Sequence, residues 1–268
     1  MEPAPVPPTV LAALAAGDPT RPVITYYDDR TGERTELSRA TLGNWVAKTA
    51  NLLADGFGLG PGEIAAVRLP AHWQTAAVLL GCWSAGLVVD LGPHGDGPDR
   101  AAIGFVSAET AGQVTADDVL ALALAPLAAP FRPGPPPGTQ DYVVEVRGHG
   151  DHFTARHPVR GQTPALADGT RHVDLVAAAA VLALPAGERI MIDADQHADP
   201  VHWLVAPLLA GCPVVLCGNL DPARVAARLS SERAVWFPPG TEPGAEPGTQ
   251  PGAEGADSSA PPDPASPV

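Results

Sequence analysis

Between Glu63 and Leu91 the pattern of apolar residues changes period twice. E-I-A-A-V-R-L (Glu63–Leu69) has the length and composition of a strand, and A-H-W-Q-T-A-A-V-L-L-G-C-W-S-A (Ala71–Ala85) is apolar almost all round at helical length. L-V-V-D-L (Leu87–Leu91) is again a short apolar run. A helix with no polar face has to be covered on every side. A strand–helix–strand unit within one sheet is a right-handed crossover and makes its two strands parallel. The chain is therefore expected to be α/β, with parallel sheets flanked by helices, and an antiparallel sandwich would contradict this reading.

The rest of the chain extends this unit into two βαβ series. In the first, about 9–125, Thr9–Ala16 has helical spacing and stops at Gly17-Asp18-Pro19. Pro22–Tyr27 and Glu33–Leu37 read as a hairpin. Ser38 is an N-cap for a helix running to about Ala54, with Leu42, Trp45, Val46, Thr49, Leu52 and Leu53 on its apolar face. Ile103–Ser107 and Val119–Ala125 can continue the sheet, and Val119–Ala125 satisfies a helical reading as well. Pro126–Gln140 is too proline-rich for helix or strand and serves as a connector. In the second series, about 141–237, Asp141–Val146 alternates as a strand. Helix Val173–Leu184, strand Arg189–Ile192, helix Asp199–Leu209, strand Pro213–Cys217, helix Asp221–Leu229 and strand Ala234–Phe237 follow. Two subdomains sharing an interface are expected, with one continuous sheet as the alternative. From 238 to 268 the composition changes to a Pro/Gly/Glu-rich acidic tail that has no apolar face to bury and reads as disordered.

The net charge of −14 repels nucleic acid, and no basic stripe offsets it. No apolar run reaches membrane-spanning length; Val173–Leu184 is interrupted by Asp174 and closed by Pro185. M-E-P-A-P-V-P-P lacks the charged start and apolar run of a signal peptide, so a cytoplasmic protein is expected. Cys82, Cys212 and Cys217 lie in apolar segments and read as buried, reduced thiols. The preference for arginine over lysine, with Lys48 the only lysine among 16 basic residues, fits the coding bias of a GC-rich bacterial genome.

The run from Gly32 to Pro93 resembles the opening of AMP-binding, adenylate-forming enzymes, the family of acyl-CoA synthetases, luciferases and peptide-synthetase adenylation domains. E-L-S-R-A-T-L and G-L-G-P-G-E-I-A-A-V stand where that family has its T-Y-x-E-L and G-x-x-P-G-D-x-V-A motifs. D-L-V-A-A-A-A-V-L-A-L-P-A-G-E-R-I-M-I and W-L-V-A-P-L-L-A-G-C-P-V-V-L-C extend the resemblance to Phe237, so that it covers 1–237 as an N-terminal portion of the family's large domain. The family's later aromatic-Gly-x-[ST]-E motif and C-terminal lysine domain are not found. A stand-alone, truncated relative is the expectation.

In the family a Ser/Thr/Gly-rich loop ending in P-K-G cradles the nucleotide phosphates. Backbone N–H groups and a lysine suit that task. The matching place here is R-G-Q-T-P-A-L-A-D-G-T-R-H, in which Gly161, Thr163 and Gly169 are degenerate remnants and Asp168 stands where the lysine would be. An acid there repels a triphosphate, and Arg160 and Arg171 replace the lysine only in part. The densest other polar cluster, Asp193, Asp195, His197 and His202, follows a strand, where ligands bind in a doubly wound sheet. Its plainer reading is a polar loop with Asp199 capping the next helix. His197 and His202 are five apart, which does not align two metal ligands on one helix face, so no metal is assigned. G-H-G-D-H-F (Gly148–Phe153) reads as an irregular loop, and no G-x-S-x-G is present. The expectation is a catalytically inactive, pseudoenzyme-like scaffold without a cofactor, binding a small molecule or a partner protein. The alternatives are a ligase completed by a partner chain and a homo-oligomeric interaction protein.

Overall fold

A computed structural model describes residues 9–92 and 100–238. The acidic stretch expected to be disordered lies, from 239 on, outside the described residues. Helix α1 (Val10–Ala16) is capped by Thr9, whose hydroxyl accepts from the Ala12 amide at 3.2 Å. Strands β1 (Pro22–Asp28) and β2 (Glu33–Ser38) form the expected hairpin. Ser38 caps α2 (Arg39–Asn51), which runs on into a π-helical turn, Leu52–Gly56. Then come β3 (Ile64–Arg68), α3 (Trp73–Ala85), β4 (Val88–Asp90), β5 (Ala101–Val106) and β6 (Ala116–Ala121). The second half holds β7 (Gln140–Asp141), α4 (Tyr142–Arg147), α5 (His172–Val181), β8 (Arg189–Asp193), α6 (Ala206–Ala210), β9 (Val214–Gly218), α7 (Val225–Glu232) and β10 (Ala234–Trp236).

Two five-stranded sheets result, in the orders β10-β8-β9-β1-β2 and β4-β3-β5-β6-β7. Every pairing is parallel except the β1–β2 hairpin, which makes β2 an antiparallel edge. The fold is thus mixed α/β with parallel sheets flanked by helices. The hairpin precedes the 126–140 connector in the chain, yet β1 pairs with β9, which follows it.

Helix α3 links the two sheets. It is buried at every position except Ser84 and touches β1 of one sheet and β4 of the other. Full burial of side chains such as Leu79, Leu80 and Trp83 contributes about 1.5–3 kcal/mol each. A Cβ on Gly81 would lie 2.5 Å from Cβ of Thr49, so glycine is what lets α3 approach α2 this closely. The far face of the first sheet, Met191, Val215 and Cys217, is covered by α7 through Val225 and Leu229, so that sheet is packed on both sides.

One expected element changes type. Asp141–Val146 is not a strand: only Gln140–Asp141 pairs with β6, and Tyr142–Arg147 is helix. Asp141 Oδ1 accepts the Val143 amide at 2.9 Å and, more distantly, that of Val144. This cap turns the chain into a helix whose buried residues Tyr142, Val143 and Val146 lie on one helical face. The strand expected at Val119–Ala125 also begins and ends earlier, at Ala116–Ala121.

Candidate functional site

The loop that stands where phosphates would be cradled is folded onto itself. Pro164 and Arg171 form an antiparallel bridge, and the amides of Ala165 and Leu166 both donate to the Thr170 carbonyl at 2.8 and 3.0 Å. The Thr163 amide donates to the Arg160 carbonyl at 3.0 Å, while the Arg160 amide donates back to Thr163 Oγ1 at 3.0 Å. The Gly169 amide donates to Leu166, and Gly169 sits at φ +93°, a left-handed conformation that glycine adopts without strain. The base of the loop is tied to β4: the Val89 amide donates to Ala165 and the Ala167 amide to Val89, both at 2.9 Å. From below, Trp83 Nε1 donates to the Ala165 carbonyl at 3.0 Å.

Arg171 is committed as well. Arg171 donates to Asp174 through Nε and Nη2 at 2.8 and 2.7 Å, and to Gln162 through Nη1 at 2.6 Å. The Arg171 guanidinium, followed by its backbone amide, holds Asp174 down to about 2. Asp168 Oδ1 accepts the Thr170 amide at 2.9 Å, which stabilises the turn around an acid. A triphosphate needs outward-facing N–H groups and a cation. In this loop most N–H groups face inward, Arg171 is paired with Asp174, and Asp168 adds a negative charge, so these residues fit the phosphates of ATP poorly. Lys48 is elsewhere; its ammonium donates to the His149 carbonyl at 2.5 Å. With Asn51, which donates to Gly150 and His152, it pins the Gly148–Phe153 loop to α2.

The second expected site is only partly gathered. His197 and His202 come together at the C-terminal end of β8, with ring centroids 5.6 Å apart, against Phe237 at 4.8 and 5.7 Å. Burial, then His202, pushes the His197 imidazole below its ordinary value, while Asp193 pulls the other way. Among the described residues His202 Nδ1 is buried without a hydrogen-bond partner. Asp193 is buried, and its carboxylate accepts the Asp195 amide at 3.0 Å, shaping the turn. Asp195 points away to the Asn219 amide at 2.8 Å, and Asp199 accepts the Val201 amide at 2.8 Å, the capping role expected for it. The region is therefore two imidazoles and a phenyl ring beside one buried carboxylate. Among the described residues no three His, Cys, Asp or Glu side chains converge as metal ligands.

Three features escaped the sequence reading. Phe237, forty residues from His197 in sequence, is carried there by β10, just beyond which the Phe237 amide donates to the Met191 carbonyl at 3.0 Å. Asp29 and Arg228 form a buried double hydrogen bond at 2.6 and 3.1 Å, under Arg228's stacking on the Tyr27 ring at 4.2 Å. Glu232, also buried, accepts from Tyr27, Arg34 and Arg189 and so ties α7 to β1, β2 and β8. The only hint in the sequence was a set of charged residues at strand ends and along a helix.

Buried histidines make stability pH-dependent. His172, beside Trp83 with centroids 5.8 Å apart, is pushed by burial from 6.5 down to about 4, and His72 by burial down to about 3. Both folded values lie below the unfolded one. The unfolded chain therefore takes up protons first, and stability is full above about pH 6.5 and lost as pH falls through that value. The urea midpoint is expected to drop between pH 6.5 and 5, above the carboxylate range, and to drop less in His172→Phe. A midpoint unchanged over that interval would contradict the burial of these rings.

Among curated proteins the chain is 39% identical over 234 residues to a TIGR03089 family protein of Mycobacterium tuberculosis, covering 84% of this chain and 94% of that one. No family model matches the chain. An acyl-CoA synthetase of Brucella canis superposes with a TM-score of 0.65 at 18% identity, covering 85% of this chain and 46% of that chain. The N-terminal domain of FACL13 from Mycobacterium tuberculosis gives 0.59 at 14% identity, covering 85% and 61%. An ATP-bound RpMatB-BxBclM chimera gives 0.58 at 16% identity, covering 85% and 48%. At these identities the likeness is one of fold, and the chain spans between 46% and 61% of those structures' lengths.

Proposed function

The chain belongs to the TIGR03089 family, and from that premise we propose that it is an adenylate-forming scaffold that binds and does not adenylate. Its ligand is a small neutral or cationic molecule held at the C-terminal ends of β8 and β10, against His197, His202 and Phe237. The observation that carries this reading is the closure of the 160–171 loop: the amides of Thr163, Ala165, Leu166 and Gly169 go to its own carbonyls, that of Ala167 goes to Val89, and the Arg171 guanidinium goes to Asp174. A loop committed in this way has nothing preorganised to offer a transferring phosphoryl group. The acids Asp193, Asp195 and Asp199 favour a neutral or positive ligand over a nucleotide. Unpaired, buried Cys82, Cys212 and Cys217 suit a reducing compartment, and we place the protein in the cytoplasm. No helix among the described residues is long and apolar enough to cross a membrane.

ATP–pyrophosphate exchange with fatty, aryl and amino acids tests the first half of the proposal, and no exchange above background is expected. A thermal-shift panel of ATP–Mg, AMP and CoA tests it again, since a ligand at 100-fold its Kd stabilises by about 2.7 kcal/mol. Exchange, or an ATP–Mg shift that disappears in Arg160→Ala, would overturn it. For the second half, a hit from a library of neutral and cationic metabolites is expected to lose its shift in His197→Ala. A hit indifferent to both His197→Ala and Phe237→Ala would place the ligand elsewhere.

A further inference from the structure

A cleft of about 330 Å³ opens between α1, α2 and the loop after α4, on a part of the molecule that the site above does not use. Leu11 and Leu14 of α1, Val46 of α2 and Phe153 give it apolar walls, and among the described residues the one charged group lining it is Arg39. This volume falls at the lower end of the range of small-molecule pockets, roughly 300–1,000 Å³, which pair apolar walls with few polar groups.

Arg39 is unusual in this chain. Acidic residues outnumber basic ones, 30 to 16, yet among the described residues no carboxylate pairs with this half-buried guanidinium. Its Nη1 donates to the carbonyls of Ala13 and Leu14, both at 3.0 Å, and closes the end of α1. Burial works against its charge, and no acid offsets that effect. The nearest acid in sequence to the α1 end, Asp18, is engaged by the Thr20 amide and hydroxyl at 2.9 and 2.8 Å. Gly17 makes the placement sterically feasible. A Cβ there would lie 2.2 Å from Arg39 Nε and 2.4 Å from Cζ, so any side chain would displace the guanidinium. Two carbonyls occupy one nitrogen of a five-donor fork that suits bidentate recognition of a planar anion.

We propose that this cleft is a second binding site, specific for an amphipathic monocarboxylate, whose apolar body lies against Leu11, Leu14, Val46 and Phe153 and whose carboxylate pairs with Arg39. Apolar contact supplies affinity, and the pairing selects the anion, because an unpaired guanidinium in a half-buried setting gains most from a carboxylate.

Calorimetric titration of the full chain with octanoate and, in parallel, octan-1-ol tests the proposal. Octanoate is expected to bind saturably at one site. Arg39→Gln retains a donor for the α1 carbonyls and is expected to weaken octanoate at least about tenfold while leaving octan-1-ol unchanged, the effect of losing one charge-assisted pair. Arg39→Lys is expected to fall between the two. Leu11→Trp fills the cleft from a partly exposed position and is expected to weaken both ligands, while His197→Ala is expected to weaken neither. Circular dichroism confirms that each variant is folded; should Arg39→Gln unfold, Arg39→Lys and Leu11→Trp still decide the matter. The absence of saturable octanoate binding, equal losses of both ligands in Arg39→Gln, or indifference to Leu11→Trp would each overturn the proposal.

Discussion

Trp83→Ala is expected to lower the stability of the fold by about 3–5 kcal/mol, the range for removing a large aromatic side chain from a core, and to open the 160–171 loop as it does so. Trp83 is fully buried on α3, the helix that touches both sheets. Its ring meets His172 edge-on at the start of α5, and its Nε1 holds the Ala165 carbonyl at 3.0 Å. Truncation leaves a cavity where α3, β4 and the loop meet, and deprives a buried carbonyl of its indole donor. Trp83→Phe separates the two effects: it keeps most of the volume and loses the donor, at a cost of about 0.5–1.5 kcal/mol, because the Ala165 carbonyl keeps the Val89 amide. Urea unfolding measures both costs. Limited digestion with trypsin reads the loop, because Arg160 and Arg171 flank it and cleavage there requires local opening. Faster cleavage at these two arginines in Trp83→Ala, beyond what global destabilisation accounts for, is the expected result. A cost below about 1 kcal/mol in Trp83→Ala, or unchanged loop protection, would show that the loop is held by its own hydrogen bonds alone.

The same tryptophan illustrates what the sequence made legible. A helix apolar all round, flanked by two short apolar runs, required a buried crossover and parallel strands, and α3 with β3 and β4 is that unit. The hairpin and the Ser38 cap were readable because each depends on neighbouring residues. Asp141–Val146 was misread because D-Y-V-V-E-V satisfies two periods at once. The deciding fact was the Asp141 carboxylate turning back to the Val143 amide, with Glu145 in the first helical turn. At the loop, Asp168 in the place of lysine already argued against phosphate. The closure itself depends on Val89 and Trp83, both more than seventy residues away from it. His197 and His202 were legible as polar residues after a strand, whereas Phe237 joins them only through sheet order, which a local pattern does not carry.

Asp29 marks the limit of such reading, and it carries the second large expected effect. In sequence D-D-R-T-G is an unremarkable turn after a strand. In the fold the Asp29 carboxylate is buried and accepts two hydrogen bonds from Arg228, one from the Asp221 amide at 2.8 Å and one from Arg224 at 3.3 Å. Asp29→Ala leaves the Arg228 guanidinium buried without a counter-ion and is expected to cost about 3–5 kcal/mol. Arg228→Met is expected to cost less, because Asp29 keeps Arg224 and the Asp221 amide, and methionine still covers Tyr27. The double variant should recover part of the loss, since no buried charge then remains unpaired. The pH dependence has the opposite origin from that of the histidines. Burial pushes the Asp29 carboxyl up, but Arg228, the Asp221 amide and Arg224 together outweigh it and hold the group below 3.8. The contribution of Asp29 is therefore full above that value and lost as pH falls through the lower folded one. Acid unfolding below about pH 4 should accordingly be less steep in the double variant than in the parent chain, while the loss between pH 6.5 and 5 stays the same in both. Equal acid sensitivity of the two proteins below pH 4 would show that the pair sets geometry and contributes nothing to stability.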